Sequence, residues 1–455
     1  MIYKVHSTNN QSAITVICRY LYKNVLSKLL TLQEKPTIIR LNRKIVEGVM
    51  MMYIKRHMEE IVKECIAQFP VLLVTGPRQV GKTTMLTTVC NNYTYCTFDD
   101  PLILREAVEE TNLFLMNNEP PLLIDEVQYA PEIFRYIKMN VDKNKRKGAF
   151  VLTGSQAFQL MKGVSETLAG RMAVIEMQGL SLREIFNVAF NKEFVPTTDY
   201  INERKDYIKA YDNIWYFIHR GTMPELSDEV ISWERYYSSY VKTYIEKDVR
   251  QLVNIADELK FMKFLTTLAA RCGEMLNFNA IANEVEISVD TVKRWVSILQ
   301  TSGIIFLLEP YSNNLLKRVV KTPKIYFYDS GLVCYLTRWT TPEVLKNGAK
   351  AGNIFENFIV SEILKTHLNA GKTISSIYYY RDKDKKEIDL IIEKDGVLYP
   401  IEIKMTANPT KAMAKNFSVL KSISDKEIGI GCILCQYDRK YYLSENLISL
   451  PITYI

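Results

Sequence analysis

The sequence predicts an α/β protein built around a parallel sheet, followed by a mainly helical segment and a second, smaller α/β region. Three observations lead to this prediction. Short apolar runs alternate with helical segments from residue 71 to about 190, a pattern typical of parallel strands covered on both faces. The segment 213–270 has helical character and is rich in Tyr and Trp. A strong two-residue hairpin turn, Asp395-Gly396, lies near the C-terminus.

Composition narrows the class of protein. The chain has 455 residues, of which 47% are hydrophobic and 24% charged, proportions that are typical of a folded protein and exclude the fibrous and disordered classes. The net charge of +7 permits a nucleic-acid partner without requiring one. No run reaches the ~18 apolar residues of a membrane span, and no signal peptide is recognisable. We therefore expect a cytoplasmic protein of roughly three domains.

The predicted strands of the first sheet are 71–75, 94–98, 121–125, 149–153 and 172–177. The first strand is followed by a loop that matches G-x-x-x-x-G-K-[ST] and opens a helix. Its glycines let successive N–H groups converge on phosphate oxygens, Lys82 would reach the β- and γ-phosphates, and Thr83 would ligate Mg²⁺. The predicted ATP-binding residues are Gly76, Pro77, Arg78, Gln79, Val80, Gly81, Lys82, Thr83 and Thr84.

The third predicted strand ends in two carboxylates, Asp125 and Glu126. At the carboxyl end of a parallel strand, Asp125 is suited to the Mg²⁺ shell, and Glu126 is the candidate base that deprotonates the attacking water. Strand 94–98 intervenes in the chain between the loop strand and this acidic strand, which predicts the P-loop class with an inserted strand. Asp99 and Asp100 either point toward the same crevice or cap the next helix.

Two further segments complete the predicted site. Thr153, Ser155 and Gln156 end the fourth strand, where their hydroxyl and amide groups would sense a γ-phosphate or hold the attacking water. Arg171 precedes the fifth strand and is the candidate arginine finger or sensor, because a guanidinium stabilises charge on a transferring phosphoryl group. A surface ion pair is the alternative for this arginine. The segment 181–184 has the spacing of a capping box and predicts a helix start.

Several motifs resemble those of a widespread prokaryotic family of AAA-type ATP-binding proteins: GPRQVGKTT, LLIDEVQ, LTGSQ, and LAGR followed by GLSLREI. The resemblance covers about residues 52–455 and includes GTMPE (221–225), YIEKDVR (244–250) and YFYDSGL (326–332). It implies a P-loop domain followed by a domain of unknown function related to restriction-endonuclease-like nucleases. Family members start near MYIKR, so we expect translation to begin within Met50-Met51-Met52; an N-terminal helical arm is the alternative.

Residues 278–300 predict two helices joined by a short turn, with Ser288 as the N-cap of the second helix. The apolar run 304–308 and a strand at 325–328 complete a winged-helix pattern, which suits duplex DNA. The alternative is a winged helix that packs as a lid or as a partner contact. The predicted DNA contacts are Lys293 and Arg294 on the second helix and Lys317 and Arg318 in the wing, which also holds Lys321 and Lys324.

The segment 387–404 contains a hairpin whose register follows from its Asp-Gly turn. Position 394 then pairs with 397, and Asp389 lies directly across from Glu402. Like charges at paired positions destabilise a strand pair unless something compensates them. We predict a divalent cation between these two carboxylates, with Lys404 near a phosphate or a nucleophilic water.

This hairpin resembles the PD-(D/E)xK nuclease core. The resemblance implies an additional acidic residue on a helix, a position that Glu356 matches, with Glu362 as the second choice. The alternative is a solvated face on which Glu387 and Lys404 form an ion pair. Related folds also serve as binders without catalysis, so DNA cleavage does not follow from the pattern alone.

The predicted organisation is an N-terminal extension (1–51), an AAA-type P-loop domain (52–190), a helical lid or linker (191–270), a winged-helix-like domain (271–345) and a restriction-endonuclease-like domain (346–455). ATP and Mg²⁺ are the predicted cofactors and DNA the predicted partner, no membrane partner is expected, and a homo-oligomer is compatible with the sequence. Two functional classes remain open. One is an ATPase that drives work on DNA, which the C-terminal domain cuts or grips. The other is an ATP-gated switch whose later domains bind a protein and whose nuclease-like domain is inactive.

Overall fold

Five short strands form the first sheet, and most of their residues are buried. The computed structural model describes residues 53–155, 168–211, 213–246, 258–312 and 322–455. The strands are β1 (Val71–Thr75), β2 (Thr94–Thr97), β3 (Leu122–Asp125), β4 (Phe150–Gly154) and β5 (Met172–Glu176). All pair in parallel, in the order β2-β3-β4-β1-β5. The predicted strands and their parallel arrangement are confirmed.

Helices cover both faces of this sheet. They are α1 (Glu59–Gln68), α2 (Lys82–Val89), α3 (Pro101–Glu109), α4 (Thr111–Asn117), α5 (Ile133–Asn144) and α6 (Leu182–Ile185). Leu72 and Val74 of β1 belong to one hydrophobic core, while Val71 and Leu73 belong to a second. Because successive side chains of a strand point to opposite faces, this division explains why the strand sequences are apolar without alternation.

The inserted strand differs from the one that the sequence indicated. β4, not β2, lies between the P-loop strand β1 and the acidic strand β3, and β2 forms the edge of the sheet. Chain order alone placed 94–98 between the two. The sheet nevertheless belongs to the predicted class, because one strand separates β1 from β3.

The middle of the chain is mainly helical. Its helices are α7 (Thr198–Arg204), α8 (Ile214–Arg220), α9 (Trp233–Tyr240), α10 (Glu258–Ala270), α11 (Phe278–Val285), α12 (Val289–Thr301), α13 (Ser330–Leu336) and α14 (Pro342–Lys346). A π-helical turn, Val241–Glu246, follows α9. Two strands, β6 (Ile305–Leu308) and β7 (Lys324–Phe327), pair antiparallel after α12. The two predicted helices and the strand pair after them are therefore present.

A mixed sheet and one long helix form the C-terminal part. The elements are α15 (Ala351–Asn369), α16 (Leu420–Ile423), β8 (Ile377–Arg381), β9 (Glu387–Lys394), β10 (Val397–Lys404), β11 (Glu427–Ile428), β12 (Gly431–Cys435), β13 (Tyr441–Ser444) and β14 (Leu447–Pro451). The strand order is β13-β14-β12-β10-β9-β8, with β11 beside β10. α15 is buried along most of its length, which explains why its sequence shows little separation of polar and apolar faces.

Residues 54–455 form one compact unit. The predicted extension 1–51 lies outside the described residues, as do Gln156, Lys317, Arg318 and Lys321. Among the helices of the described ranges, none is long and apolar enough to cross a membrane.

Candidate functional site

The turn between β1 and α2 adopts a backbone that its glycines permit. Gly76 and Gly81 have φ angles of 140° and 89°, and a Cβ on Gly76 would lie 2.0 Å from the carbonyl oxygen of Met177. Only glycine fits there without moving the neighbouring chain. The loop therefore packs against the residue after β5, and α2 begins at Lys82 with its N-terminal N–H groups beside the loop.

Lys82 is buried beneath the loop that precedes it. Its ammonium donates hydrogen bonds to the carbonyl oxygens of Gly76 (2.8 Å) and Pro77 (2.7 Å). Burial lowers the pKa of Lys82 to about 8, against the opposing effect of the Glu126 and Asp125 carboxylates. Hydrogen bonds from an ammonium to an anionic oxygen are stronger than those to a neutral carbonyl. Lys82 would therefore interact more strongly with a phosphate than with its present partners.

The carboxyl end of β3 brings Asp125 to Thr83. The Thr83 hydroxyl donates to the Asp125 carboxylate, at 2.9 and 3.0 Å from its two oxygens. Tyr95 Oη lies 3.2 Å from the same carboxylate, and Thr153 donates to it as well. A hydroxyl and a carboxylate oxygen at this separation are donors that Mg²⁺ prefers. Thr83 and Asp125 thus fit the predicted ion.

Glu126 follows β3 with a left-handed backbone, φ 56°. Its N–H donates to Thr153 Oγ1 at 3.2 Å. Its carboxylate accepts a hydrogen bond from Ser155 Oγ at 3.2 Å and another from the Gln128 amide. These neighbours fix the orientation of the carboxylate, which a general base requires. Thr153 and Ser155 lie where the sequence placed them, whereas Gln128 was not predicted.

The two aspartates after β2 have different roles. Asp100 caps α3 by accepting a hydrogen bond from the Leu102 N–H at 2.9 Å. The pKa of Asp99 is raised by partial burial and then by the negative charges of Glu126 and Asp125. The cap interpretation therefore applies to Asp100. Asp99 instead lies close enough to Glu126 and Asp125 for their charges to affect its pKa.

Arg171 lies away from this site. It precedes β5 at the amino end of the sheet and forms a half-exposed ion pair with Asp142 of α5. Strands of five residues separate the two ends of the sheet by roughly 13 Å, and Lys82 lies at the other end. The structure therefore shows the surface ion pair and does not support Arg171 as a sensor within its own site. Arg78 of the loop does lie near Lys82, and it donates to Tyr129 Oη at 3.1 Å.

Arg56 contacts the P-loop through the carbonyl oxygen of Val80, and sequence reasoning did not identify this residue. Its buried guanidinium donates to the carbonyl oxygens of Val80 and Gln178, both at 2.8 Å, and pairs with Glu184 at 2.9 Å. Burial raises the pKa of Glu184, but the charges of Arg56 and His57 lower it to about 2. Arg56 lies in the MYIKR motif and Glu184 in the GLSLREI motif. The two residues are 128 positions apart, so the sequence gives no indication that they pair.

The segment formed by α11 and α12 has two distinct ends. Lys293 and Arg294 lie on the exposed surface of α12, and Ser288 caps this helix by accepting from the Thr291 N–H at 3.1 Å. Beyond its C-terminal end, a Cβ on Gly303 would lie 2.9 Å from the ring of Pro77. α12 therefore presents two cations to solvent, and the chain that follows it contacts the P-loop.

The β9–β10 hairpin has the predicted register. Lys394 pairs with Val397 and Leu390 pairs with Ile401, which places Asp389 and Glu402 next in line. Asp395 and Gly396 have φ angles of 52° and 81°, the positive values that a two-residue type I′ turn requires.

A lysine lies where the sequence predicted a divalent cation. Lys404 Nζ is 2.9 Å from Asp389 Oδ2 and 2.5 Å from Glu402 Oε2. Burial, followed by the charge of Asp389, raises the pKa of Glu402 to about 8. Within the ranges that the structure describes, no three His, Cys, Asp or Glu side chains are arranged to hold a metal. Asp389, Glu402 and Glu356 therefore do not fit a bound Mg²⁺ in this arrangement.

A second lysine neutralises the remaining carboxylates. The alternative Glu387–Lys404 pair is not formed, because Glu387 pairs with Lys324 at 2.5 Å and with Arg381 at 2.9 Å. Lys324 also donates to Glu356 at 3.2 Å. Lys324, expected in a basic wing, is thus buried among acids of the C-terminal part. We call Glu356, Glu387, Asp389 and Glu402 the carboxylate cluster.

Glu362, the second choice for the helical acid, lies outside this cluster. It forms a buried ion pair with Lys365 at 2.9 Å and accepts from the Leu182 N–H at 2.8 Å. Its role is therefore to attach α15 to the segment after β5.

Comparison with known protein families identifies the region that contains the P-loop. Residues 68–186 match the AAA domain family. The AAA domain match includes the P-loop, Asp125 and Glu126. Residues 211–343 match a domain of unknown function, DUF8612, and residues 351–455 match another, DUF4143. The chain thus carries an AAA-type P-loop domain followed by two domains of unknown function.

Relatives that align with most of this chain occur in Mycobacterium and Methanocaldococcus. The uncharacterized protein Rv2008c of Mycobacterium tuberculosis is 26% identical over 396 residues, which cover 86% of this chain and 82% of the relative. The uncharacterized protein MJ1637 of Methanocaldococcus jannaschii is 25% identical over 414 residues, 82% of this chain and 85% of the relative. The similarity therefore extends well beyond the AAA domain.

Solved structures align with part of the chain. A Walker-type ATPase of Pyrococcus abyssi covers 61% of this chain and 94% of its own, at 13% identity and a TM-score of 0.38. AMPPCP-bound DnaA of Aquifex aeolicus covers 53% and 86%, at 16% identity and a TM-score of 0.26. The strand order and the family match, rather than these alignments, carry the assignment of the AAA domain.

Proposed function

We propose that this chain binds ATP with Mg²⁺ and hydrolyses it. The observation that carries the proposal is the convergence of Lys82, Thr83, Asp125 and Glu126 at one end of the parallel sheet. Phosphoryl transfer to water needs a phosphate-binding cation, oxygen ligands for a metal and an oriented base, and these residues supply them. The match of residues 68–186 to the AAA domain supports the same proposal.

Each residue has a distinct task. Lys82 would exchange its two carbonyl partners for phosphate oxygens and stabilise the charge that develops on the γ-phosphate. Thr83 and Asp125 would hold Mg²⁺, which when bound neutralises phosphate charge and orients the triphosphate. Glu126, held by Ser155, would accept a proton from the attacking water. The N–H groups at the start of α2 would bind phosphate oxygens.

Two variants separate binding from hydrolysis. Lys82→Ala should abolish detectable ATP binding, whereas Glu126→Gln should keep binding and lower hydrolysis by about 10²–10⁴-fold. Lys63→Ala is the matched control, because Lys63 is an exposed lysine paired with Glu60 on α1; it should leave both unchanged. Binding is measured with a fluorescent ATP analogue and hydrolysis by phosphate release. A Lys82→Ala protein that hydrolyses ATP at the wild-type rate would refute the proposal.

We further propose that α12 contacts the backbone of duplex DNA. Lys293 and Arg294 are exposed on this helix, and a helix–turn–helix followed by a strand pair is a frequent DNA-binding arrangement. The contact between Gly303 and Pro77 offers a direct path from this segment to the P-loop. DNA should therefore stimulate ATP hydrolysis.

An ATP-gated switch is the second candidate function. It is favoured by the two lysines that neutralise the carboxylate cluster, because a nuclease centre would need those carboxylates for metal ions. Comparing ATP hydrolysis with and without duplex DNA discriminates the candidates. Strong stimulation supports work on DNA, whereas slow hydrolysis that is indifferent to DNA supports the switch.

A further inference from the structure

Gln128 is a buried glutamine in the turn that follows the candidate base. Only 5% of it is exposed, whereas most glutamine side chains lie at protein surfaces. It belongs to a single 3₁₀-helical turn, Val127–Tyr129, in which the Tyr129 N–H donates to the Glu126 carbonyl oxygen at 3.2 Å. Val127 is fully buried in one of the two cores of the sheet. The turn is therefore held in place directly beside Glu126.

The same turn borders the P-loop. Tyr129 Oη accepts a hydrogen bond from the Arg78 guanidinium at 3.1 Å. Burial lowers the pKa of Lys82, and the charge of Glu126 is the largest influence in the opposite direction. Glu126 is thus close to the ammonium that we expect to bind the γ-phosphate. Gln128 therefore lies next to the place where hydrolysis would occur.

Two donors hold one oxygen of the Glu126 carboxylate. The amide nitrogen of Gln128, Nε2, donates to Glu126 Oε2, and the Ser155 hydroxyl donates to the same oxygen at 3.2 Å. Among the residues that the structure describes, none donates to the other oxygen, Oε1. Because rotation of the carboxylate would break both bonds, Oε1 is the oxygen that is available to act as the base.

The amide of Gln128 has an acceptor that is not used. Its oxygen, Oε1, is buried and has no hydrogen-bond partner within the described part of the chain. The amide cannot be turned over, because only its nitrogen can donate to a carboxylate. A buried acceptor without a donor costs free energy, and a catalytic role is one reason for a protein to retain it. Glu126 and Gln128 thus each offer one acceptor oxygen, on side chains that a hydrogen bond joins.

A water molecule complements these two acceptors. It has two hydrogens, so it can donate one to Glu126 Oε1 and the other to Gln128 Oε1, which leaves a lone pair of its oxygen for attack. Glutamine suits the second position, because its amide is neutral and combines a donor with an acceptor. A carboxylate in its place would repel both Glu126 and the γ-phosphate.

We propose that Gln128, together with Glu126, positions the attacking water in ATP hydrolysis. The inference rests on the proposed function, because it assigns a further residue to the same site. Attack forms a bond between the water oxygen and the γ-phosphorus. It breaks the bond from that phosphorus to the β–γ bridging oxygen, which leaves on ADP with the electron pair. Glu126 Oε1 takes one proton, and the other stays on the phosphate product, where it still donates to Gln128 Oε1.

Gln128→Met tests the proposal, because methionine has a similar length and lacks both the donor and the strong acceptor. Its kcat should fall by about 10²-fold while KM for ATP stays unchanged, since the amide contacts the water rather than the nucleotide. The matched control is Gln68→Met, because Gln68 is exposed at the end of α1; it should leave both constants unchanged. In a Glu126→Gln background, Gln128→Met should cost much less, because two residues that hold one water act as a unit.

A binding measurement separates this role from a structural one. With Mg²⁺ present, ADP and aluminium fluoride mimic the transition state with its water in line, whereas ADP and beryllium fluoride mimic bound ATP. Gln128→Met should weaken binding of the aluminium complex by the same factor as kcat, and binding of the beryllium complex should not change. Gln128→Glu keeps the shape of the side chain and replaces Gln128→Met if that variant does not fold. It should also lose affinity for the aluminium complex alone, because a carboxylate cannot donate to Glu126.

Three results would overturn the inference in a folded variant: the wild-type kcat, the wild-type affinity for the aluminium complex, or equal weakening of both complexes. Failure of the proposed function has a different signature. In that case the wild-type protein itself would bind neither complex and hydrolyse no ATP, and the inference would fall with it.

Discussion

Lys82 and Lys324 are both buried lysines, yet their surroundings shift their pKa in opposite directions. Burial lowers the pKa of Lys82 to about 8, because its hydrogen-bond partners are neutral carbonyl groups. Burial acts on Lys324 in the same sense, but the charges of Glu356 and Glu387 outweigh it and raise the pKa above its ordinary value. Lys82 therefore gains an anionic partner when a phosphate binds, whereas Lys324 already has two.

ATP affinity should fall with pH above 8. Lys82 has a pKa near 8 in the free protein, and phosphate charge raises it in the complex, so binding takes up a proton above pH 8. Below pH 8 the ammonium is already present and this contribution is constant; above it, each pH unit weakens binding by up to about tenfold until the pKa of the complex is reached. Dissociation constants at pH 7.5 and pH 9, at one ionic strength, test this. Equal affinities at the two pH values would contradict the role of Lys82.

Residues of the candidate site differ in how far the sequence could predict them. The P-loop is contiguous, and its backbone turns depend on glycines within it, so its residues were identifiable from sequence. Arg56 and its partner Glu184 are 128 positions apart, and Lys324 and Glu356 are 32 apart. Such pairs arise from tertiary packing, which leaves no local spacing to read. Lys324 was therefore assigned to a solvent-exposed basic wing.

At the scale of secondary-structure elements, local geometry was predictable and lateral order was not. The β9–β10 register followed from two turn residues, Asp395 and Gly396, because their positive φ angles fix the pairing. The position of β4 between β1 and β3 depends on crossover connections, which chain order does not specify. Arg171 is different again: a residue that precedes a parallel strand lies at the amino end of the sheet, so its distance from the P-loop was implicit in the sequence.

Removing the two exposed cations of α12 should weaken DNA binding. Lys293→Ala/Arg294→Ala loses two charges that we expect near phosphates, so affinity should fall and the slope of log K against log salt should drop by about two. Lys63→Ala/Lys143→Ala removes two exposed charges elsewhere and serves as the control. Fluorescence anisotropy with a labelled duplex at several salt concentrations measures both quantities. Retention of the wild-type affinity and slope would favour the lid interpretation of α12.

At the scale of the whole molecule, buried polar contacts join the three matched regions. The Thr222 N–H donates to Asp329 at 2.9 Å, and its hydroxyl accepts from Lys365 at 2.8 Å. Lys365, on α15, also donates to the carbonyl oxygen of Leu180 at 3.1 Å. A Cβ on Gly221 would lie 2.2 Å from Tyr237 Oη, so the chain has no room for a side chain here. The GTMPE and YFYDSGL motifs thus meet at one buried junction.

This junction and β7 give a nucleotide-induced change at the P-loop a path to the C-terminal part. Phe327 exchanges backbone hydrogen bonds with the Asn357 amide on α15, and Tyr328 bonds Glu176 beside the P-loop. A shift of β5 on ATP binding would therefore move β7 through Tyr328. Because Asn357 hydrogen-bonds Phe327, α15 would move with β7. The hydroxyl of Tyr328 is the side-chain link at the P-loop end of this path, and one substitution can remove it.

Tyr328→Phe should uncouple the P-loop from β7 and α15 without impairing nucleotide binding. Wild-type protein should show a change in amide hydrogen exchange at residues 324–328 when ATP and Mg²⁺ are added, and the variant should show a smaller one. Its ATP affinity should stay unchanged, because the hydroxyl contacts Glu176 rather than the P-loop. Tyr326→Phe is the matched control: its hydroxyl bonds Glu356 at the other end, so its exchange should still respond to ATP. A Tyr328→Phe response equal to that of wild type would contradict the role of the Tyr328–Glu176 hydrogen bond in the coupling.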